Sequence, residues 1–132
     1  MNTGYALADT SVFVARETGR ALASQLPRSV FVSSITLAEL SLGVISSLDA
    51  KTRAKRLATL GVAATYQILP ADRIVASVWS QMMAEIVRSG RRLPKARVND
   101  AWIAATARAS SIPVVTQDDG FTAFPGVEVI RV

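Results

Sequence analysis

Residues 5–11 read Tyr5-Ala6-Leu7-Ala8-Asp9-Thr10-Ser11, a short apolar run that ends abruptly in an acid and two hydroxyls. The run predicts a buried strand, and Asp-Thr-Ser the turn that ends it. Short apolar runs of the same kind recur along the chain. Val30-Phe31-Val32 stops at Ser33-Ser34, and Gln67-Ile68-Leu69 at Pro70. Pro113-Val114-Val115 runs into Thr116-Gln117-Asp118-Asp119-Gly120, and residues 127–132 close the chain as a strand-like segment. Helical patterns fill the intervals. The first covers residues 12–25 and is broken at Pro27 and Arg28. The second covers Ile35 to Ser46, capped by Ser33 or Ser34. Asp49, in the turn 47–49, caps a third over residues 50–64. Pro70 opens a fourth, in the position where a first helical turn tolerates proline, and Gly90 stops it just after Ser89. A basic loop, residues 91–97, is interrupted by Pro94 and leads into a fifth helix from Val98 or Asn99 to about Ser110. Short strands alternating with amphipathic helices predict a parallel sheet with helices on both faces. In such folds ligands sit at the carboxyl ends of the strands.

The 132 residues fit a single domain, 1–132, and half of them are hydrophobic, so a core is attainable at this size. No stretch approaches the roughly 18 apolar residues of a membrane span. The N-terminus has no basic region followed by an apolar run, which predicts a cytoplasmic protein. The chain has no cysteine and no histidine. That excludes disulfides, thiol nucleophiles, the Ser-His-Asp machinery and imidazole or thiolate metal sites. A metal site here is an oxygen site, suited to Mg²⁺, Mn²⁺ or Ca²⁺. The net charge of +5 is compatible with a polyanionic partner, and equally with a solvated basic surface.

The acids divide by their surroundings. Glu17 has Arg20 three residues on, Asp49 has Arg53 four on and Glu85 has Arg88 three on, which predicts ordinary ion pairs on helix surfaces. Asp72 falls in a first helical turn, where the macrodipole favours an anion. Asp9 and Asp118 instead follow apolar strands and belong at the carboxyl edge of the sheet. Glu39 shares a helix face with Ile35, Leu42 and Gly43, and Asp100 one with Ile103, Ala104 and Ala107, so both are expected to point inward. Arg97 stands three residues before Asp100 but outside the helix. A carboxylate facing an apolar layer must be protonated, meet a cation from elsewhere in the fold, or bind a metal. Capping offers a plainer role for Asp9 and for Asp118 (over a short helix 119–124), and a place as a helix N-terminal anion offers one for Asp100. Glu39, in mid-helix, has no such role.

Four stretches resemble the signature segments of PIN-domain ribonucleases, and most closely the VapC-type toxins of bacterial toxin–antitoxin pairs. They are residues 7–12 (LADTSV), 36–43 (TLAELSLG), 99–107 (NDAWIAATA) and 114–121 (VVTQDDGF), in the family's order and across nearly the whole chain. The resemblance implies a three-layer α/β/α sandwich with a parallel sheet of about five strands. It also implies Mg²⁺- or Mn²⁺-dependent RNA cleavage, a homodimer, and inhibition by a small cognate antitoxin. By motif, Asp9, Glu39, Asp100 and Asp118 match the catalytic, metal-binding acids, with the adjacent Asp119 either a secondary ligand or a group that supports the ligands from behind. Thr10, Ser11 and Thr116 match small hydroxyl residues that orient carboxylates or contact phosphate.

A divalent cation would invert the charge of an acidic pocket and so admit RNA. Arg91, Arg92, Lys95 and Arg97 could track the RNA backbone, or belong to a solvated loop. Trp79 and Trp102 are expected in a core or an interface. The first two helices carry Val12, Phe13, Leu22, Leu26, Leu37, Leu40, Val44 and Ile45, either more apolar surface than one sheet face needs or simply core. Two enzymatic rivals fit poorly: a haloacid-type phosphotransferase expects Asp-x-Asp where Asp9-Thr10-Ser11 stands, and a phosphoacceptor receiver expects an acid pair near the first strand. A catalytically inactive PIN-like module that binds nucleic acid or protein is the alternative to a nuclease.

Overall fold

A computed structural model describes residues 4–132. Five strands form one sheet: β1 (Tyr5–Ala8), β2 (Ser29–Ser33), β3 (Gln67–Leu69), β4 (Val114–Thr116) and β5 (Val129–Arg131). Their spatial order is β3-β2-β1-β4-β5, and every neighbouring pair is parallel. The five helices are α1 (Thr10–Glu17), α2 (Ser34–Ile45), α3 (Ala50–Ala63), α4 (Arg73–Arg88) and α5 (Val98–Ala109).

Alternation along the central strands builds the three layers. Leu7 and Val114 face α4 and α5, meeting Val75, Met82, Ile86 and Ile103. Ala6, Ala8 and Val115 face the opposite way, toward Phe13, Leu40 and Ala63 of α1, α2 and α3. The α/β/α sandwich with a five-stranded parallel sheet is thus the observed architecture. Fully buried alanines at 101, 104, 105 and 107 give α5 a small-residue face in the core it shares with Leu7 of β1 and Val114 of β4. Trp79 and Trp102 stack, with ring centroids 4.8 Å apart, at the partly buried margin of that layer.

Several boundaries differ from expectation, each for a local reason. The first helix stops at Glu17 and does not continue to Gln25. Gly19 takes a left-handed φ of 74°, which lets its own N–H reach Arg16 O and the Arg20 N–H reach Ala15 O at 2.8 Å. This is a Schellman termination. The fourth helix starts at Arg73 and is capped by Asp72, whose Oδ1 accepts the Val75 N–H at 3.0 Å; Pro70 lies outside it. Ser33 is the cap of α2, at 3.0 Å from the Ile35 N–H. Thr116 belongs to β4. Lys95–Arg97 form a 3₁₀ turn at the end of the basic loop.

The three expected surface ion pairs take other partners. Glu17 accepts from the Thr59 hydroxyl at 2.8 Å, and Asp49 caps α3 through the Thr52 N–H. Glu85 forms a two-point pair with Arg108, both contacts 3.1 Å, which draws its carboxyl below the usual range. Of the eight apolar side chains considered for an interface, Val12, Phe13 and Leu40 are buried. Leu22, Leu26 and Leu37 pack on the same core, whereas Ile45 is 79% exposed.

Candidate active site

Parallel strands bring their carboxyl ends to one edge, and the acids gather there. Asp9 leaves β1 as the N-cap of α1, with Oδ2 3.4 Å from the Ser11 N–H. It is 3% exposed. The Thr116 hydroxyl, at the end of β4, donates to the same Oδ2 at 2.9 Å. Thr116 Oγ1 in turn accepts the Asp118 N–H at 2.9 Å and lies 3.1 Å from Ser11 Oγ, which itself accepts the Gln117 N–H. The hydroxyls of Thr116 and Ser11 therefore join the ends of β1 and β4 in one network around Asp9. All donors to Asp9 are neutral. Burial pushes its carboxyl above the usual range, against the pull of the Ser11 and Thr116 hydrogen bonds.

Glu39 projects from mid-α2 toward the start of α1. Its Oε1 accepts from the Thr10 hydroxyl at 2.7 Å, and its Oε2 lies 3.4 Å from Asn99 Nδ2. Thr10 Oγ1 lies 3.0 Å from the hydroxyl of buried Thr36, which steadies it. Because Thr10 has one proton and gives it to Glu39, Thr36 is the donor between them. The face of α2 near Glu39 is less enclosed than expected: Leu42 is 65% exposed.

Asp100 occupies the first turn of α5. Burial raises its carboxyl, the Arg97 hydrogen bond opposes the rise, and the charges of Asp9 and Asp118 add to it. Asp118 caps the 3₁₀ turn Asp119–Ala123 by accepting the Gly120 N–H at 2.9 Å, the capping role open to it from the sequence. Arg97 holds Asp118 through Nη1 at 2.5 Å and Nη2 at 3.3 Å, and its Nη1 also reaches Asp100 Oδ2 at 2.9 Å. The Arg97 hydrogen bond is the main reason that the Asp118 carboxyl lies below the usual range.

Two sequence expectations need correcting. Arg97 belongs neither to an RNA track nor to a solvated loop, because it bridges Asp100 and Asp118 and supplies the cation from outside their own elements. Asp119 stands apart from the cluster, with a highly exposed carboxylate paired to Arg131 of β5. Spacing alone places Arg97 three residues before Asp100, but its bond to Asp118 spans 21 residues. Spacing does not single out Thr36 and Asn99 either; each opens a signature stretch, and only the fold shows what it touches.

Beside Arg97 lies a cavity of about 200 Å³ between the basic loop and the 3₁₀ turn, lined by Ile86, Arg91, Arg92, Leu93 and Ala123 among others. Arg91 is partly tied down, donating to Ala123 O at 2.8 Å and Ser89 Oγ at 3.0 Å, while Arg92 and Lys95 are exposed.

Among the described residues no group of three Asp or Glu side chains is placed to hold a metal ion unaided. The donor chemistry nevertheless fits a hard divalent cation. Mg²⁺ commonly takes only one or two protein carboxylates and keeps several waters. Asp9 and Asp100 are two desolvated carboxylates that repel one another, and the donors to Asp9 carry no charge to offset its burial.

Similarity to known proteins agrees with this geometry. The PIN-domain profile matches residues 6–127. Ribonuclease VapC5 of Mycobacterium tuberculosis is 46% identical over 128 residues, covering 94% of this chain and 93% of that one. Ribonuclease VapC4 of the same species is 38% identical over 133 residues, covering both in full. Among solved structures, VapBC-5 from M. tuberculosis, a member of the VapBC family of toxin–antitoxin systems, superposes with a TM-score of 0.86 at 41% identity, over 98% of this chain and 99% of that one.

Proposed function

The chain belongs to the PIN-domain family, in its VapC branch, and from that premise we propose that it is an Mg²⁺- or Mn²⁺-dependent endoribonuclease, the toxin of a toxin–antitoxin pair. One observation carries the reading to this chain's own residues. Asp9 is buried at the carboxyl edge of the sheet within the electrostatic reach of Asp100, and both are raised by desolvation.

Asp9 and Asp100 would hold the cation, with Glu39 and Asp118 completing the acidic set directly or through water. A divalent cation there supplies a lowered pKa for a bound water and stabilises charge on the phosphate and the leaving oxygen. The protein's part is orientation. Thr116 and the Ser11 amide fix the rotamer of Asp9, and Thr10 aims Glu39. Glu39 or Asp118 accepts the proton of the attacking water. Arg91, Arg92 and Lys95 contact the phosphates of single-stranded or looped RNA.

The partner is a small cognate antitoxin. The toxin is a homodimer and works in the cytoplasm; among the described residues no helix is long and apolar enough to cross a membrane. The exposed side chains Leu42 and Ile45 at the end of α2, with Leu48 just beyond, suit an apolar segment of that partner.

The test is cleavage of a structured RNA with Mn²⁺ or Mg²⁺, with chelator, and with Asp9→Asn. Loss of at least about 100-fold in the variant and in chelator is expected. Near-normal cleavage by Asp9→Asn overturns the metal-nuclease reading.

A further inference from the structure

We propose that Arg97 is a built-in counter-cation of the carboxylate cluster, competing with the divalent ion for Asp100 and Asp118 and thereby setting the metal affinity of the site. The inference rests on the metal-dependent reading above and concerns what this chain does in the metal's absence.

Three observations converge on it. The Arg97 guanidinium lies between two acids of the cluster, held by three hydrogen bonds, although it comes from the turn that leads into α5 and not from a packed element. It makes no capping bond to α5, so its side chain is committed to the acids alone. Gly120 is built around it. The Gly120 backbone is not in the left-handed region that favours glycine, yet a Cβ there would fall on the Arg97 guanidinium. What the missing side chain provides is room for that group.

The physical consequence follows from charge. Without metal, the charges of Asp9 and Asp118 bear on Asp100, and the Arg97 guanidinium held between Asp100 and Asp118 lowers that cost, with Arg131 adding a weaker pull on Asp118. A divalent ion at Asp100 must either take over the Oδ2 that Arg97 Nη1 now holds or share it with a like charge. Either way Arg97 weakens metal binding, and metal weakens the hold on Arg97, by the same factor. A side chain that only buttressed Asp100 would have the opposite effect, since its loss would misplace a ligand.

The test is titration of the purified, chelator-stripped full chain with Mn²⁺ by calorimetry, comparing the wild type with Arg97→Gln and Gly120→Ala. The second variant keeps the charge but displaces the guanidinium. Both are expected to bind Mn²⁺ more tightly, by about tenfold, and to melt at a lower temperature than the wild type when metal-free. Unchanged or weaker Mn²⁺ affinity in the variants overturns the inference while leaving the nuclease reading intact. If neither wild type nor variant binds Mn²⁺, both readings fail together. Should Arg97→Gln not fold, Gly120→Ala carries the test with the same outcomes.

Discussion

The Thr116 hydroxyl donates to Asp9 Oδ2 at 2.9 Å across 107 residues of chain, and its own oxygen accepts the Asp118 N–H. One hydroxyl therefore positions two acids of the candidate site. Thr116→Val keeps the shape and removes both bonds, leaving a buried carboxylate short of a donor and an amide without an acceptor. It should cost about 1–3 kcal/mol in chemical denaturation. It should also push the Asp9 carboxyl further up, because a lowering influence is removed, and so move the acid limb of the cleavage pH profile to higher pH. An unmoved limb would mean that Thr116 only packs.

Asp9→Asn should raise the melting temperature of the metal-free protein at pH 7. The sign follows from the direction of the shift. A carboxyl raised in the folded state contributes stability that is fully present below its unfolded value of 3.8 and is lost as pH rises through the folded value. At pH 7 the wild type thus carries the cost of a buried charge that the amide avoids. The advantage of the variant should vanish as pH falls through that window, read from melts in chelator at several pH values.

Metal should reverse that order. Saturating Mn²⁺ at 100 times its dissociation constant adds about 2.7 kcal/mol to the wild type, a rise in melting temperature on the order of 10 °C. Asp9→Asn should gain almost none of it. A wild-type melt indifferent to Mg²⁺ and Mn²⁺ would remove the shared metal site.

Neutralising Arg91, Arg92 and Lys95 together should weaken RNA binding and flatten its salt dependence. Each cation seated on a phosphate releases counterions, so removing three should lower the slope of log K against log salt by roughly 2 for single-stranded RNA. Measured in chelator, so that no cleavage occurs, an unchanged slope would place the RNA track elsewhere.

Leu42→Asp combined with Ile45→Asp should leave the circular dichroism spectrum intact, since both side chains are largely exposed. It should weaken binding of the cognate antitoxin by at least about tenfold if these residues form part of the apolar contact. Undiminished binding would move the partner off this end of α2.

Much of the fold is legible in short stretches. Tyr5–Ala8 ending in Asp9, and Val114-Val115 ending near Asp118, mark the two central strands and the acids at their ends. Gly90 marks the end of a long helix, through the Arg91 N–H to Ile86 O bond and the left-handed φ of 77°. The same chemistry is present at Gly19, but the apolar periodicity beyond it outweighs the glycine and predicts too long a first helix.

Sequence by itself determined the alternation of strands and helices and the oxygen-only chemistry forced by the absence of histidine and cysteine, and it singled out Asp9, Glu39, Asp100 and Asp118 as candidates. These depend on periodicity, capping and side-chain type, which neighbours within a few residues encode. Only the tertiary structure decided which acids acquire a counter-charge. Arg97 meets Asp118 because α5 and the turn after β4 converge at one edge of the sheet, while Asp119, one residue on, turns to Arg131. Ion pairing depends on distance in space and on desolvation, and both are set by how the layers pack, not by separation along the chain.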